Sequence, residues 1–244
     1  MKQSPFIFLL AASLLLSSQS ARADLGSARS AYETGDYPKA AQEFEELAKI
    51  GDAEAQTSLG YIYRHGQGVE QNDAEAFNWY LKAAQQGNAV AEYNVGQMYE
   101  EGVGTAKNTT EALSWYGMAA EQGNTTAEYN LGYLYYKGEG LPKDNKRAWM
   151  WLKKAATQNS ADAEILLGLM YFNGEGVKQN YPVAFTWFKR AAARGRPEAQ
   201  YNLGVMYSQG LGVAKDETQG KLWLQKAMAQ KSFNRQLTIN KKES

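Results

Sequence analysis

The chain has 244 residues, a formal net charge of zero and no cysteine. The absence of cysteine excludes disulfides, zinc ribbons and thiol nucleophiles. A single histidine, His65, argues against a histidine-based catalytic or metal site. Hydrophobic residues make up 44% of the chain and charged residues 21%, which is typical of a soluble folded protein. The neutral overall charge gives no general attraction for nucleic acid.

The first 23 residues have the pattern of a secretory signal peptide. Lys2 gives a positive start, residues 6–16 are apolar, and residues 21–23 (Ala-Arg-Ala) fit a small-residue cleavage site. The apolar run is too short to span a bilayer, and no later stretch is apolar for long enough. We therefore expect cleavage after Ala23 and a mature protein in the bacterial periplasm or the medium. The alternative is a buried N-terminal helix.

Identical residues recur every 36 positions along the rest of the chain. Gly60, Tyr63 and Trp79 each return four more times at this spacing, and so does a Gly-x-Gly pair that begins at Gly66. A fixed period repeated this often predicts a repeat architecture. The five units follow one another without a gap, at 53–88, 89–124, 125–160, 161–196 and 197–232.

Within each unit the apolar spacing predicts two helices. In the first unit Ala55 and Leu59 begin one apolar stripe, and Ala76 and Tyr80 belong to a second. An Asn or Asp precedes every second helix and is expected to cap its first turn. A Gly or Asn between units suits the left-handed residue that ends a helix. The recurring glycine at the Gly60 position is expected to let the first helix approach the Ala76 region of the second.

Residues 24–52 are a shorter relative of the 36-residue unit. Aligning Ala40 with Ala76 gives the same helix pair with a shorter loop, which makes six helix pairs in all. The tail, residues 233–244, has no periodic pattern and is expected to fray or to form a short cap.

The units resemble Sel-one-like repeats (SLR), a branch of the tetratricopeptide-repeat (TPR) superfamily. The motif AEYNLGYLYYKGEGLPKDNKRAWMWLKKAA at 127–156 shows the likeness, which covers 53–232, while 24–52 looks more like a plain tetratricopeptide repeat. The resemblance implies an all-α, right-handed α-solenoid of six helix-turn-helix repeats, one TPR-like and five SLR-type. As a class it implies scaffold or adaptor work in which the partner is another protein or peptide.

No motif predicts a reaction. The Gly-x-Gly pairs lie between two predicted helices, with no strand before them and no Gly-Lys-Ser/Thr after them, so a phosphate-binding loop is not indicated. We expect His65 to be a solvated loop residue, because no second metal ligand accompanies it. We therefore expect no catalytic residue, no metal and no cofactor. The alternatives are a cell-wall-active hydrolase and a glycan-binding protein.

The binding site is predicted on the concave face, which the first helices line in TPR-like solenoids. Specificity is expected at positions that vary between repeats, and aromatic side chains there suit peptide recognition. The asparagines among these residues occupy a position where similar TPR modules hold a peptide backbone. Packing against neighbouring helices is the alternative role for both kinds of residue. The predicted partner-binding residues are Tyr61, Arg64, Tyr93, Asn94, Gln97, Tyr129, Asn130, Tyr133, Tyr136, Ile165, Leu169, Phe172, Tyr201 and Asn202.

Charge is distributed unevenly between the two halves of the mature chain. Residues 24–124 hold 16 acidic and 6 basic residues, whereas residues 125–244 hold 10 acidic and 18 basic residues. Such a split can steer a charged partner or favour head-to-tail contacts between copies. Drift among solvated side chains is the alternative explanation.

Overall fold

The structure is a computed structural model, and it describes residues 25–139 and 141–230. All regular secondary structure within these residues is helical, which confirms the predicted all-α fold class. The predicted signal peptide (1–23) and tail (233–244) lie outside the described residues. The helices are α1 (25–33), α2 (Tyr37–Lys49), α3 (Ala53–His65), α4 (Asp73–Ala84), α5 (Ala89–Glu101), α6 (Thr109–Glu121), α7 (Thr125–Lys137), α8 (Asn145–Thr157), α9 (Ala161–Asn173), α10 (Tyr181–Ala193), α11 (Pro197–Gln209) and α12 (Glu217–Met228).

The chain divides into two compact units, Met1–Ala119 and Ala120–Ser244. In the first unit α1 packs on α2 and α3 packs on α4, while α2 also contacts α3 and α4 contacts α5. The second unit repeats this pattern, with α7 on α8, α9 on α10 and α11 on α12, and with further contacts of α8 with α9 and of α10 with α11. Within each unit, consecutive helix pairs thus contact one another through the second helix of one pair and the first helix of the next.

The helices begin and end at the capping residues that the sequence predicts. Before a second helix, the side chain of Asn72 accepts a hydrogen bond from the backbone N–H of Glu75 at 3.0 Å. Before a first helix, Asp52 accepts the N–H of Ala55 at 2.8 Å. Between units, Asn159 adopts a left-handed conformation with φ of 69°, as its alignment with the inter-unit glycines predicts.

Alanines that recur from repeat to repeat form part of the core. The alanine at the Ala55 position is fully buried in every 36-residue unit, and the alanine at the Ala76 position is fully buried in four of the five. Between these small residues lie larger side chains such as Leu59, Tyr80 and Phe188, which are at most 2% exposed. Identity between repeats therefore reflects packing.

The glycine at the Gly60 position lets the first helix approach the second closely, as predicted: a Cβ atom on Gly96 would lie 3.2 Å from the carbonyl oxygen of Ala112, which occupies the Ala76 position of its repeat. The nearest contacts, however, are with a larger side chain. A Cβ atom on Gly60 would lie 2.8 Å from the ring of Tyr80, and one on Gly168 would lie 2.6 Å from the ring of Phe188. These rings lie one helical turn beyond the Ala76 position. The glycine makes room for this larger side chain, because small residues that face large ones let two helices interdigitate.

The Gly-x-Gly pairs also have a packing role. The first glycine ends the first helix in the left-handed conformation, as Gly66 does with φ of 64°. The second glycine packs against the start of the second helix of the previous repeat, as Gly212 does against Tyr181 and Pro182. No helix in the described part of the chain combines the length and the hydrophobicity that a membrane crossing requires.

Candidate functional site

Most of the predicted partner-binding residues are accessible on the odd-numbered helices from α3 to α11. They include exposed or partly exposed aromatic and amide side chains in both units, and the basic Arg64 in the first. We call this set the first-helix face and describe it separately for each unit. Its members are Tyr61, Arg64, Tyr93, Asn94 and Gln97 in the first unit, and Tyr129, Asn130, Tyr133, Tyr136, Phe172 and Tyr201 in the second.

Three of the predicted residues do not belong to this face, because they are buried. Ile165 and Asn202 are fully buried and Leu169 is 6% exposed. Ile165 and Leu169 lie on α9, which is apolar on most sides. Its eight consecutive residues 163–170 are all buried in the second unit. A helix that is hydrophobic on all sides belongs in a core. The surface proposed below therefore leaves these three residues out.

In the first unit Tyr61 is the most exposed member of the face, with 43% of its surface accessible. Its ring stacks on that of His65 at 4.0 Å between centroids, and the edge of Tyr32 approaches it at 6.4 Å. His65 is exposed, but it is the last residue of α3 and not a loop residue, and its Nδ1 lies 2.9 Å from the carbonyl oxygen of Tyr61. Tyr61 is thus held between two other rings.

The polar members of the face in the first unit bind to neighbouring protein groups. The guanidinium of Arg64 contacts Asp73 at 3.0 Å and Glu101 at 2.9 Å, so it links three successive helices. Gln97 donates its amide N–H to the same Glu101. Asn94 donates to the carbonyl oxygen of Val90, one turn back on its own helix, at 2.8 Å. These bonds fix the positions of the side chains.

In the second unit the face is aromatic and bordered by lysines. The rings of Tyr129 and Tyr133 lie 6.1 Å apart, and the ammonium group of Lys137 lies 5.7 Å from the centre of the Tyr133 ring. Lys143 approaches the ring of Tyr136 in the same way, at 5.2 Å. These tyrosines offer large contact areas beside positive charge.

Two of these phenols, which like any tyrosine are neutral at pH 7, become still harder to ionise on burial. Burial raises the pKa of Tyr129 and of Tyr136 above the ordinary value for tyrosine, and the negative charge of Glu175 adds to the effect at Tyr136. A neutral hydroxyl group at a partly buried position can both donate and accept a hydrogen bond. The surface therefore offers apolar area together with a few directed polar groups.

A buried polar position that the sequence analysis missed lies beside the first-helix core. Each 36-residue unit has Gln or Glu next to the buried alanine of the Ala55 position, and every one of these side chains is at most 6% exposed. The amide of Gln56 donates to the carbonyl oxygen of Ala48 at 3.0 Å and accepts a bond from Gln86 at 2.7 Å. The 36-residue recurrence of Gln or Glu was the available signal. This position joins consecutive helix pairs.

At Glu128 this position holds a carboxyl group whose partner is neutral. Burial raises the pKa of Glu128, and the hydrogen bond that Gln158 donates at 2.9 Å only partly offsets this. The folded state therefore keeps the proton to higher pH than the unfolded chain does. The contribution of Glu128 to stability is complete below its unfolded pKa and is lost as pH rises through its folded pKa.

We expect Glu128→Gln to stabilise the protein at pH 7, because the variant has no carboxylate to desolvate and Gln already occupies this position at Gln56. The thermal midpoint should rise by about 2 °C at pH 7, the shift that about 1 kcal/mol gives in a chain of this size. The gain should shrink near pH 4. Differential scanning fluorimetry across this pH range measures the effect, with the exposed Glu139→Gln as the control. A lower midpoint at pH 7 than the control would contradict the interpretation.

Within residues 25–139 and 141–230 no group of three or more His, Asp or Glu side chains is arranged to hold a metal ion. The arrangement instead combines a buried core, in which alanine recurs at the Ala55 position of every 36-residue unit, with first-helix side chains that vary between repeats at the Tyr61 and Arg64 positions.

Comparison with known proteins agrees with the repeat pattern. The family model described as Sel1 repeat matches residues 53–88, 89–124, 125–160, 161–195 and 197–232. No curated protein is significantly similar to this chain. The resemblance to Sel-one-like repeats predicted from the motifs is thereby confirmed.

Several solved structures are similar to this chain. A Sel1 repeat protein from Oxalobacter formigenes is 36% identical with a TM-score of 0.79, and the match covers 83% of each chain. The protein c5321, a protective antigen present in uropathogenic Escherichia coli strains, is 34% identical with a TM-score of 0.82. That match covers 88% of this chain but 48% of c5321, so this chain spans about half its length. The immunity protein Pa5087 from Pseudomonas aeruginosa, 22% identical with a TM-score of 0.50, shares the fold.

Proposed function

This chain belongs to the Sel1 repeat family, and from that premise we propose that it is a non-catalytic adaptor that binds another protein through the first-helix face. Sel1 repeat proteins are generally protein-interaction scaffolds. The observation that supports a binding role for this face is the contrast between two classes of position. The alanine at the Ala55 position is buried in all five 36-residue units and the invariant Tyr63 and Trp79 positions are only partly exposed, whereas the Tyr61 and Arg64 positions on the first helices carry different residues from repeat to repeat.

The chemistry of the face in the second unit suits a polypeptide partner. Tyr133, Tyr136 and Phe172 are partly exposed, and aromatic side chains give large contact areas at a low cost in side-chain entropy. The ring of Phe172 also packs against that of Tyr181 at 5.0 Å, which restrains it before any partner arrives. A restrained aromatic surface loses little freedom on binding, and this favours affinity.

We further propose that the adaptor works in the bacterial cell envelope. The support is the signal-peptide pattern of residues 1–23, which lie outside the described residues. An exported adaptor would meet its partners in the periplasm or outside the cell. The partner is therefore sought in envelope extract.

The proposal is tested by capturing partners from envelope extract with the tagged protein and with Tyr133→Ala/Phe172→Ala. We expect the double variant to lose the specific partner, because truncating two central aromatic anchors of an interface typically removes much of the binding energy. Mass spectrometry of the captured proteins measures the loss. Circular dichroism must first show that the double variant keeps its helical content.

The matched control is Met150→Ala/Leu222→Ala. Both residues belong to second helices of the same unit, and they are 44% and 42% exposed, so the control removes accessible apolar area away from the first-helix face. The control variant should retain the partner. A folded Tyr133→Ala/Phe172→Ala variant that keeps every partner would contradict the proposal.

A further inference from the structure

The first unit contains a cleft of about 350 Å³ between its first five helices. Phe44 and Tyr80 lie at its base and are at most 3% exposed, while Tyr61 and Val90 stand at its opening. We call it the N-terminal cleft. Its size is at the lower end of the range for ligand pockets in proteins, about 300–1,000 Å³. It is large enough for a single large side chain of a partner.

The opening of the N-terminal cleft is unusually apolar for an accessible surface. Tyr61 is 43% exposed and Val90 is 54% exposed, and both are among the few large hydrophobic residues that are exposed in the described part of the chain. The other exposed large hydrophobic residues in that part of the chain do not line this cleft. Two such residues at one opening offer apolar contacts to a ligand side chain, as the linings of ligand pockets generally do.

The aromatic side of the cleft is held rigidly. The ring of Tyr32 packs edge-on against Tyr37 at 5.3 Å and against Tyr61 at 6.4 Å, and Tyr61 in turn stacks on His65. The hydroxyl group of Tyr32 donates a hydrogen bond to Gln67 at 2.7 Å. An aromatic surface restrained at both ends loses little side-chain freedom when a ligand binds, so it is preorganised.

The charge around the cleft favours a basic ligand. Arg29, which lines the cleft, is paired with Glu54, and the nearby Arg64 is paired with two carboxylates. Glu33 also lines the cleft, is exposed, and forms no ion pair with any residue that the structure describes. Residues 25–119 hold 14 acidic and 6 basic residues, so the unit as a whole attracts positive charge.

We propose that the N-terminal cleft binds an extended segment of a partner protein in which an aromatic residue is flanked by Lys or Arg. The aromatic ring enters between Tyr61 and Val90, and the flanking basic group pairs with Glu33. This inference rests on the proposed adaptor function and assigns the chemistry of one recognised segment.

The test uses the full mature chain and a synthetic peptide library. Each peptide has a central Phe, Leu or Ala, and the three residues on either side are drawn from Lys, Glu and Ser. The immobilised protein is exposed to the library, and the retained peptides are sequenced. We expect enrichment of central Phe over Ala, and of flanking Lys over Glu, each by at least tenfold. Equal retention of Phe and Ala peptides, or a preference for Glu, overturns the proposal.

Two variants locate the binding to the cleft. Tyr61→Ala should weaken the best Phe/Lys peptide by at least tenfold in a fluorescence anisotropy titration, because it removes one side of the opening. Glu33→Gln should reduce the preference for Lys over Ser flanks while leaving the preference for Phe. Full affinity in a folded Tyr61→Ala variant overturns the proposal, and so does binding of free small aromatic molecules as tight as that of the peptide.

The cleft proposal and the adaptor proposal can fail independently of each other. The adaptor proposal is tested by residues of the second unit, Tyr133 and Phe172, and the cleft by Tyr61 in the first. If Tyr133→Ala/Phe172→Ala loses the envelope partner while the library shows no Phe and Lys enrichment, the cleft assignment is wrong and the adaptor function stands. If the library shows the enrichment but Tyr133→Ala/Phe172→Ala retains every partner, the cleft assignment stands and the adaptor proposal is wrong.

Discussion

Gly212→Ala is expected to destabilise the protein by about 3 kcal/mol, one of the largest effects of any single substitution considered. The backbone at Gly212 has φ of 71°, a left-handed conformation that costs a residue with a Cβ atom about 1–2 kcal/mol. The new Cβ would also lie 2.5 Å from the carbonyl oxygen of Tyr181 and from the nitrogen of Pro182. Both neighbours are backbone atoms, so they cannot move aside as a flexible side chain would, and overpacking of this kind costs about 1–3 kcal/mol.

The matched control is Gly195→Ala. Its φ of 84° is also left-handed, but a Cβ atom there would meet nothing within 4 Å. The control should therefore lose only the conformational part, about 1–2 kcal/mol. Urea denaturation followed by circular dichroism gives both values. Equal losses of stability for Gly212→Ala and Gly195→Ala would show that the contact with the previous repeat does not constrain Gly212.

The second large effect concerns Glu164, a fully buried carboxylate. Arg190 lies 2.9 Å from one carboxylate oxygen and Arg194 lies 3.3 Å from the other. Arg190→Met/Arg194→Met keeps most of the apolar length of the side chains but leaves the buried charge without a cation. Breaking a buried ion pair in this way costs about 3–5 kcal/mol. Because both arginines are about 40% exposed, we expect a loss of about 2–3 kcal/mol at pH 7.

Two further measurements identify the buried charge as the cause. Adding Glu164→Gln to the double variant should restore much of the lost stability, because an amide needs no counter-charge and Gln occupies the equivalent position at Gln200. Arg147→Met serves as the surface control, since Arg147 forms an exposed pair with Asp144 and its loss should leave the stability nearly unchanged. A double variant no less stable than Arg147→Met would contradict the assigned role of the ion pairs.

The helical architecture is readable from the sequence because its determinants are local and repeated. Asn72 and Asp52 mark helix starts since a short polar side chain satisfies the free N–H groups of the first turn, whatever lies elsewhere in the fold. Asn159 marks a helix end because Asn tolerates the left-handed conformation better than most residues with a Cβ. The 36-residue period multiplies each of these local signals five times.

Properties that depend on neighbouring helices were predicted less well. Ile165 and Leu169 occupy the same positions in the repeat as accessible residues of other units, yet they are buried. The spacing along one helix cannot show which of its sides another helix covers. The contact of Gly60 with the Tyr80 ring, one turn beyond the predicted Ala76 region, was not predicted for a similar reason, since the reach of the ring depends on its rotamer and on the distance between the helices.

The N-terminal cleft is the clearest example of a feature that one repeat alone cannot predict. The sequence analysis predicted Tyr61 as a binding residue because it varies between repeats, but it did not predict Phe44, Tyr80 or Val90 as binding residues. These residues come from four different helices and meet only when three successive repeats pack together. Packing residues such as Phe44 and Tyr80 also form the base of the cleft, so core and site are built from the same side chains.

The central claim is that accessible, repeat-variable side chains of the first helices recognise a protein partner. Its most direct test is the dissociation constant of the captured partner, measured by isothermal titration calorimetry for three proteins: the wild type, Tyr133→Ala/Phe172→Ala and Met150→Ala/Leu222→Ala. We predict binding at least tenfold weaker for the first variant, which corresponds to about 1.4 kcal/mol or more, and wild-type affinity for the second. Equal affinity for all three folded proteins would contradict the claim.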